Sequence, residues 1–175
     1  MPDTLLSWYT RYLDDPRKVE AQLKKRPVLL YDPPPAEKKE GAIGEGDDDD
    51  DYQFRTQSGV STPAIGGGDP MAVVVEKTKD NAFQRRVTIG RTQNNDIVLE
   101  DASVSRFHCW LHEEGGTWHL SDAGSRNGTA VAGRRLVAKN PVPMSSGTKL
   151  KVGAVELTFF SAEGFMAFLK KRSAE

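Results

Sequence analysis

The sequence of 175 residues has little cysteine, no long apolar run and no dense cluster of basic residues. Its single cysteine, Cys109, cannot form an intramolecular disulfide or a cysteine-built metal site, and a reducing compartment suits such a composition. No apolar run approaches the roughly 20 residues needed to span a bilayer. The first ten residues also lack the basic start and the apolar stretch of a signal peptide. We therefore expect a soluble, cytoplasmic protein with no membrane partner.

The residue patterns that enzymes use are also sparse. There is no phosphate-binding P-loop and no G-x-G-x-x-G motif. Cys109 lies inside an apolar, strand-like pattern, which is typical of a buried, unreactive thiol. His108, His112 and His119 lie on neighbouring strand-like runs without a supporting carboxylate motif, so they make a weak case for zinc. We expect no enzyme activity, no cofactor and no bound metal.

Charge is divided unevenly along the chain, although the formal net charge is only −1. Residues 1–70 carry 9 Lys and Arg against 14 Asp and Glu, which gives −5, whereas residues 71–175 carry 15 against 11, which gives +4. The second part can attract a negatively charged partner. It lacks the dense Lys/Arg stripe of nucleic-acid-binding proteins, so we expect no nucleic-acid partner.

Residues 1–31 predict two short helices. In the first, apolar side chains recur on one helical face. Asp15 has the side chain of an N-cap for the second, with Pro16 at the first helical position. Helices this short need a surface to pack on, which is either their own domain or, in an alternative that stays open, a partner protein. The residues that motivate the alternative are Trp8, Tyr9 and Tyr12.

The remaining chain divides into three parts. Residues 32–70 combine a proline triplet, the run Asp47 to Asp51 and a glycine triplet, so we predict a disordered linker. Residues 71–161 consist of short apolar or alternating runs separated by Gly, Asn or Pro, a spacing typical of an antiparallel β sandwich. Residues 162–175 predict an amphipathic helix capped by Ser161. We therefore predict an all-β sandwich with helical ends.

Polar residues stand at the ends of several predicted strands. Arg91 follows a strand that ends at Gly90, Ser105 stands just before another strand, and Arg126 and Asn127 follow a third. Loops at one end of a sandwich cluster, so these four side chains should meet. Guanidinium, hydroxyl and turn N–H groups suit a phosphate, and an amide such as Asn127 can hold a peptide backbone.

Local explanations for the same residues stay open at this point. Arg91 could be a surface charge that pairs with Asp96, and Ser105 could cap its own backbone. His108 could be a core histidine whose ring is satisfied by hydrogen bonds. Each alternative predicts a different set of partners for the side chain concerned.

Asn127 and Gly128 form the dipeptide that is the strongest local signal of a tight β-hairpin. In that interpretation both residues supply the positive φ angles of the turn. A second interpretation gives Asn127 to a ligand. We expect Gly128 to serve the turn and Asn127 to serve both turn and ligand.

Three short motifs follow one another along the chain: Gly90-Arg91, Ser105-Arg106-Phe107-His108 and Asn127-Gly128-Thr129. Together they resemble the forkhead-associated (FHA) domain, and the resemblance covers about residues 71–160. One position departs from the family pattern, because a frequent Asn-Gly turn reads Ala132-Gly133 here. The resemblance implies a β sandwich of about eleven mostly antiparallel strands that binds phosphothreonine peptides through its loops.

The resemblance also implies a role for each matching residue. Arg91 and Ser105 would contact the phosphate, and Asn127 would hold the peptide backbone beside the phosphothreonine. Arg106 and Arg126 would each add a contact to phosphate or peptide. A structural role inside the site falls to Gly90, His108, Gly128 and Thr129.

The implied partner is a phosphothreonine-containing protein, and a Ser/Thr protein kinase must act upstream. The predicted linker supplies a further hypothesis. Thr62 has Ile65 three residues later, a pattern that FHA domains often accept, and Thr56 is a second candidate phosphosite. A phosphorylated linker could occupy its own domain's site. We predict a phosphothreonine-binding signalling adaptor; the alternative is an assembly scaffold that binds a partner through its N-terminal helices.

Overall fold

The computed structural model describes residues 3–33 and 68–175. Most of the predicted linker at residues 32–70 therefore lies outside the described residues. The described residues form two β sheets that share one apolar core, and three helices. This arrangement, with twelve strands, confirms the predicted all-β sandwich.

Short strands make up most of the elements. In chain order they are β1 (Asp3–Thr4), α1 (Leu5–Asp14), α2 (Pro16–Leu23), β2 (Val28–Tyr31), β3 (Met71–Val74), β4 (Val87–Gly90), β5 (Ile97–Val98), β6 (Cys109–Glu114), β7 (Thr117–Asp122), β8 (Thr129–Val131), β9 (Arg134–Arg135), β10 (Val142–Pro143), β11 (Thr148–Val152), β12 (Val155–Phe160) and α3 (Ala162–Ser173).

The strands form a seven-stranded sheet of order β1-β3-β2-β12-β11-β8-β9 and a five-stranded sheet of order β10-β7-β6-β4-β5. Every pairing is antiparallel except that of β4 with β5. The two-residue periodicity of the strands turns alternate side chains toward the core. Ile89 and Leu111 from one sheet and Leu150 and Leu157 from the other are buried there.

The three helices pack together, and we call α1, α2 and α3 the helical cap. Their N-caps are side chains that the sequence supplies, with Thr4 accepting from Ser7 N (3.1 Å) and Asp15 accepting from Arg17 N (3.0 Å). Trp8 is only 1% exposed, and its Nε1 donates to the carbonyl of Ala72 (3.2 Å). None of these helices is both long and apolar enough to cross a membrane.

Strand β2 differs from the prediction of a purely helical segment over residues 1–31. It lies between β3 and β12, with Val28 opposite Phe160 and Tyr31 opposite Leu157. A four-residue apolar run cannot be distinguished from the end of a helix by periodicity alone. One of its two partners, β12, lies at the far end of the sequence. The amino-terminal segment therefore completes the seven-stranded sheet.

Candidate functional site

Three loops meet at one end of the sandwich: residues 91–96, residues 99–108 and residues 123–128. Their meeting point is Ser105. Its carbonyl oxygen accepts from Arg91 N (3.0 Å), and its Oγ accepts from Arg126 N (3.1 Å). The structure thus brings together the backbones of Arg91, Ser105 and Arg126, and Ser105 uses its own backbone and hydroxyl to join loops that are distant in sequence.

His108 connects two of these loops through hydrogen bonds of its ring. The ring is completely buried; its Nδ1 accepts from Ser105 N (3.0 Å) and its Nε2 donates to the carbonyl of Gly128 (3.0 Å). These partners require the neutral ring with its proton on Nε2. Burial lowers the pKa of His108, and the hydrogen bond to Gly128 and the charge of Asp122 act in the opposite direction without cancelling this effect. His108 is a core histidine whose hydrogen bonds fix the loop of Ser105.

Asp122, which the sequence analysis did not single out, organises the third loop. Its carboxylate accepts from Ser125 Oγ (2.5 Å), Thr129 Oγ1 (2.6 Å) and Gly124 N (2.8 Å). Burial raises the pKa of Asp122, but the hydrogen bonds from Ser125, Thr129 and Gly124 outweigh it and bring the pKa below its usual value. An Asp three residues before a Ser at a strand end is the local signal that could have revealed this turn.

Asn127 is exposed at the edge of the site, and its Nδ2 donates to the carbonyl of Ser103 (2.8 Å). The hairpin interpretation of Asn127 and Gly128 is wrong. Strands β7 and β8, which flank this loop, belong to different sheets, and of the two residues only Gly128 has a positive φ (79°). The loop crosses between sheets, so Asn127 is free of the conformational demands of a tight hairpin.

Gly90 is required by close backbone packing. A Cβ at this position would fall on the carbonyl oxygen of Arg106 and lie 2.6 Å from Nδ2 of Asn95. Asn95 is buried and donates to that same carbonyl (2.7 Å). Asn95 therefore fixes the backbone at Arg106. The sequence analysis missed this contact because it joins residues 11 positions apart.

The arginines of the site are exposed and unpaired. Within residues 3–33 and 68–175, no side-chain ion pair involves Arg91, Arg106 or Arg126. The alternative in which Arg91 pairs with Asp96 is wrong. Asp96 instead accepts from Lys77 Nζ (2.9 Å) and belongs to a different network. The guanidinium groups at this end of the sandwich remain available for a ligand.

Comparison with known proteins assigns the chain to a family. The sequence pattern of the FHA domain matches residues 87–153. The oxoglutarate dehydrogenase inhibitors of Corynebacterium diphtheriae and Corynebacterium efficiens are 34% and 32% identical, over 56% and 58% of this chain and 68% and 76% of those proteins. The chain belongs to the forkhead-associated domain family. The glycogen accumulation regulator GarA of Mycolicibacterium smegmatis is 32% identical to this FHA protein, over 51% of this chain and 59% of GarA.

Solved structures of FHA domains are also similar. The N-terminal FHA domain of Rad53p from S. cerevisiae, in complex with a phosphothreonine peptide, aligns with 21% identity and a TM-score of 0.47. The alignment covers 59% of this chain and 94% of that one.

Other reactive side chains of this FHA protein lie away from the three loops. His112, Glu114 and His119 come together on β6 and β7 with potential ligand atoms within 4.8 Å of one another, and His108 is not part of this group. Burial raises the pKa of the Cys109 thiol, which suits an unreactive side chain. The absence of a bound metal stays a prediction, and the candidate phosphosites Thr56 and Thr62 lie outside the described residues.

Proposed function

We propose that this FHA protein is a phosphothreonine-dependent adaptor whose ligand is held by Arg91, Ser105 and Asn127. The observation that carries the proposal is the convergence of three loops on Ser105. Because Ser105 Oγ accepts from Arg126 N, the hydroxyl proton is left to donate to a phosphate oxygen. The exposed guanidinium of Arg91 can make paired, charge-assisted hydrogen bonds to the same phosphate.

Asn127 supplies the peptide contact in this proposal. The bond from its Nδ2 to Ser103 fixes the amide plane and leaves the amide oxygen to accept an N–H group of the peptide. Arg106 and Arg126 flank these groups. A phosphothreonine adds about −1.5 to −2 charges and three strong acceptor oxygens, which this set of donors matches.

The test is titration of the full chain with a degenerate phosphothreonine peptide library, with phosphoserine and unphosphorylated libraries beside it. Phosphothreonine-dependent binding is expected. Arg91→Ala should weaken it at least about tenfold, since a hydrogen bond to a charged group is worth roughly 1.5–3 kcal/mol. The control is Arg17→Ala, which removes an exposed arginine from the helical cap. Equal affinity for phosphorylated and unphosphorylated peptides would contradict the proposal.

Regulation through the chain's own threonines is the second part of the proposal. The segment that carries them begins and ends at paired strands, since Tyr31 of β2 lies opposite Met71 of β3. Chain length limits Thr62 to within about 29 Å of Pro70 and Thr56 to within about 50 Å, so Thr56 has the longer reach. A tethered phosphothreonine benefits from an effective concentration of about millimolar. A Ser/Thr kinase would then switch the site off.

This regulation is tested by phosphorylating the full chain and measuring its affinity for an outside phosphothreonine peptide. Affinity should fall on phosphorylation. Either Thr56→Ala or Thr62→Ala, whichever removes the residue used, should restore it. Unchanged affinity after stoichiometric phosphorylation of both threonines would contradict self-binding while leaving the phosphothreonine site intact.

The names of the relatives support a regulatory rather than a catalytic role, since they are called inhibitors or a regulator. The alternative of a scaffold acting through the N-terminal helices has less support. Trp8 is 1% exposed, and Tyr9 and Tyr12 pack against the same apolar cluster. The aromatic face that motivated this alternative stabilises the protein's own fold.

A further inference from the structure

A fourth arginine lies beside the three loops, although it comes from strand β9. A Cβ built on Gly128 would lie 2.7 Å from Nε and 2.9 Å from Cζ of Arg135, so the guanidinium of Arg135 covers Gly128. Gly128 directly follows Asn127, and its carbonyl accepts from His108. Arg135 therefore lies over the residue that follows Asn127, whose amide holds the peptide in the proposed function.

The four arginines of this end share an unusual property. Each is exposed, and in the described parts of the chain none has a side-chain hydrogen bond or an ion pair. Acidic residues in the surrounding loops are bound to neutral donors instead: Glu100 accepts from Gln93 (3.0 Å), and Asp101 accepts from Ser103 Oγ (2.5 Å). The arginines concerned are Arg91, Arg106, Arg126 and Arg135.

Charge balance extends this observation to the ligand. A single phosphothreonine brings at most about two negative charges, so about two of the four guanidinium groups are left without a direct ionic partner. Exposed arginines without an ionic partner attract further anions. We propose that the site selects phosphothreonine peptides that carry a second anionic group near the phosphothreonine, and that Arg135 contacts this group. This inference rests on the proposed function.

The second anionic group can be a carboxylate or a second phosphate. The test therefore uses phosphothreonine peptides that are identical except at one flanking position, which is Ala, Asp or phosphoserine in turn and is moved along both sides. A further pair consists of two peptides of residues 47–60, both phosphorylated at Thr56. One keeps Asp47–Asp51, and in the other these five residues are replaced by Asn. Affinities are measured by fluorescence anisotropy on the full chain at two salt concentrations.

Arg135→Gln is the critical variant, and Arg134→Gln is its matched control. Arg134 is the neighbouring residue on the same strand, is also exposed and carries the same charge. Both substitutions remove one positive charge. Because successive side chains of a strand point to opposite faces, each substitution changes a different face of β9. Neither side chain is buried, so both variants should fold normally.

Each favourable aspartate should increase affinity about two- to fivefold, the range of an exposed ion pair, and salt should reduce the gain. Arg135→Gln should remove the gain and Arg134→Gln should retain it. A gain with Asp identifies a carboxylate, a gain with phosphoserine alone identifies a second phosphate, and either supports the proposal. Absence of any anionic preference overturns it, as does a preference that survives in Arg135→Gln. Failure of every phosphothreonine peptide to bind would overturn the proposed function instead.

Discussion

Arginine is used in opposite ways at the two ends of this molecule. In and around the helical cap, Arg11 pairs with Asp3 (2.8 Å) and lies over the ring of Trp8 (5.0 Å), and Arg26 pairs with Glu76. Arg172 lies over the ring of Tyr9. At the loop end, the arginines have no such partners among the described residues.

This difference shows how a fold can separate stability from binding. The guanidinium groups of the helical cap stabilise its helices, and an arginine whose N–H donors are already bonded has few of them left for a ligand. The loop end fixes its backbone with uncharged groups, such as Ser105 and Asn95, and with buried Asp122 and His108. Its arginine side chains take no part in these contacts, which supports the recognition role proposed for them above.

Trp8→Ala should destabilise the helical cap without changing the proposed phosphopeptide site. Truncating a buried aromatic side chain costs about 3–5 kcal/mol, so the free energy of unfolding should fall by that amount in urea titrations. Affinity for phosphopeptide per folded molecule should stay constant. Leu13→Ala, at a position 58% exposed on the same helix, is the control and should change stability by less than about 0.5 kcal/mol. A large loss of affinity in folded Trp8→Ala would show that the two ends are coupled.

Gly90→Ala should damage both stability and binding, because the added methyl group meets the backbone of Arg106. Overpacking of this kind costs about 1–3 kcal/mol. The displaced loop also carries Ser105, so affinity for phosphopeptide should fall in parallel. Thermal unfolding and titration of the same sample provide the check. Loss of stability with wild-type affinity would mean that Ser105 does not depend on the loop's position.

Lowering the pH should loosen the loop end through His108. The folded state lowers the pKa of His108 below the ordinary value of 6.5, so folding favours the neutral ring. Its contribution to stability is therefore complete above about pH 6.5 and is lost as pH falls from there through the lower, folded-state pKa. Denaturant titrations between pH 8 and 5 should show this decline, and His108→Gln should lack it. A wild-type curve that is flat over this range would contradict the assignment.

Two arginine substitutions sharpen the comparison directly. Arg11→Ala should lower stability by up to about 1 kcal/mol, as expected for a partly exposed ion pair, and leave affinity unchanged. Arg126→Ala should do the reverse, with stability within about 0.5 kcal/mol of wild type and weaker phosphopeptide binding. If both variants lost stability alike, the separation between the two ends would not hold.

Ala132→Gly should stabilise the β8–β9 turn by about 0.5–1 kcal/mol without affecting binding. Ala132 and Gly133 occupy the two central positions between Val131 and Arg134, with φ of 49° and 79°. Such a turn favours residues that tolerate positive φ, and alanine does not. Differential scanning calorimetry measures the gain. An unchanged melting temperature would indicate that other contacts already offset the strain.

The sequence allowed prediction of the features that are local. The motifs around Arg91, Ser105 and Asn127 each lie within a few residues at a strand end, so the loop cluster could be expected from a sandwich. Arg135 could not be found in this way, because its position over Gly128 depends on how the β8–β9 hairpin folds back. Asp122 was overlooked for a different reason, since its local signal is shared by many ordinary turns.

The same limit explains the errors in the prediction. Asn127-Gly128 has the sequence of a hairpin, but β7 and β8 belong to different sheets and Asn127 has no positive φ. Strand β2 is too short to be recognised alone, and its partner β12 lies more than a hundred residues away. Both depend on pairing between distant segments, which periodicity does not report.

Because β2 lies between β3 and β12, the amino-terminal part contributes a strand to the seven-stranded sheet and two helices to the helical cap. Its ladder bonds to β3 and β12, together with the burial of Val19 and Leu23 in the cap, are non-covalent links to the rest of the fold. A single proteolytic cut within residues 34–67 would leave these links among the described residues intact. The two fragments should stay associated, so the protein can be divided there into a complementing pair.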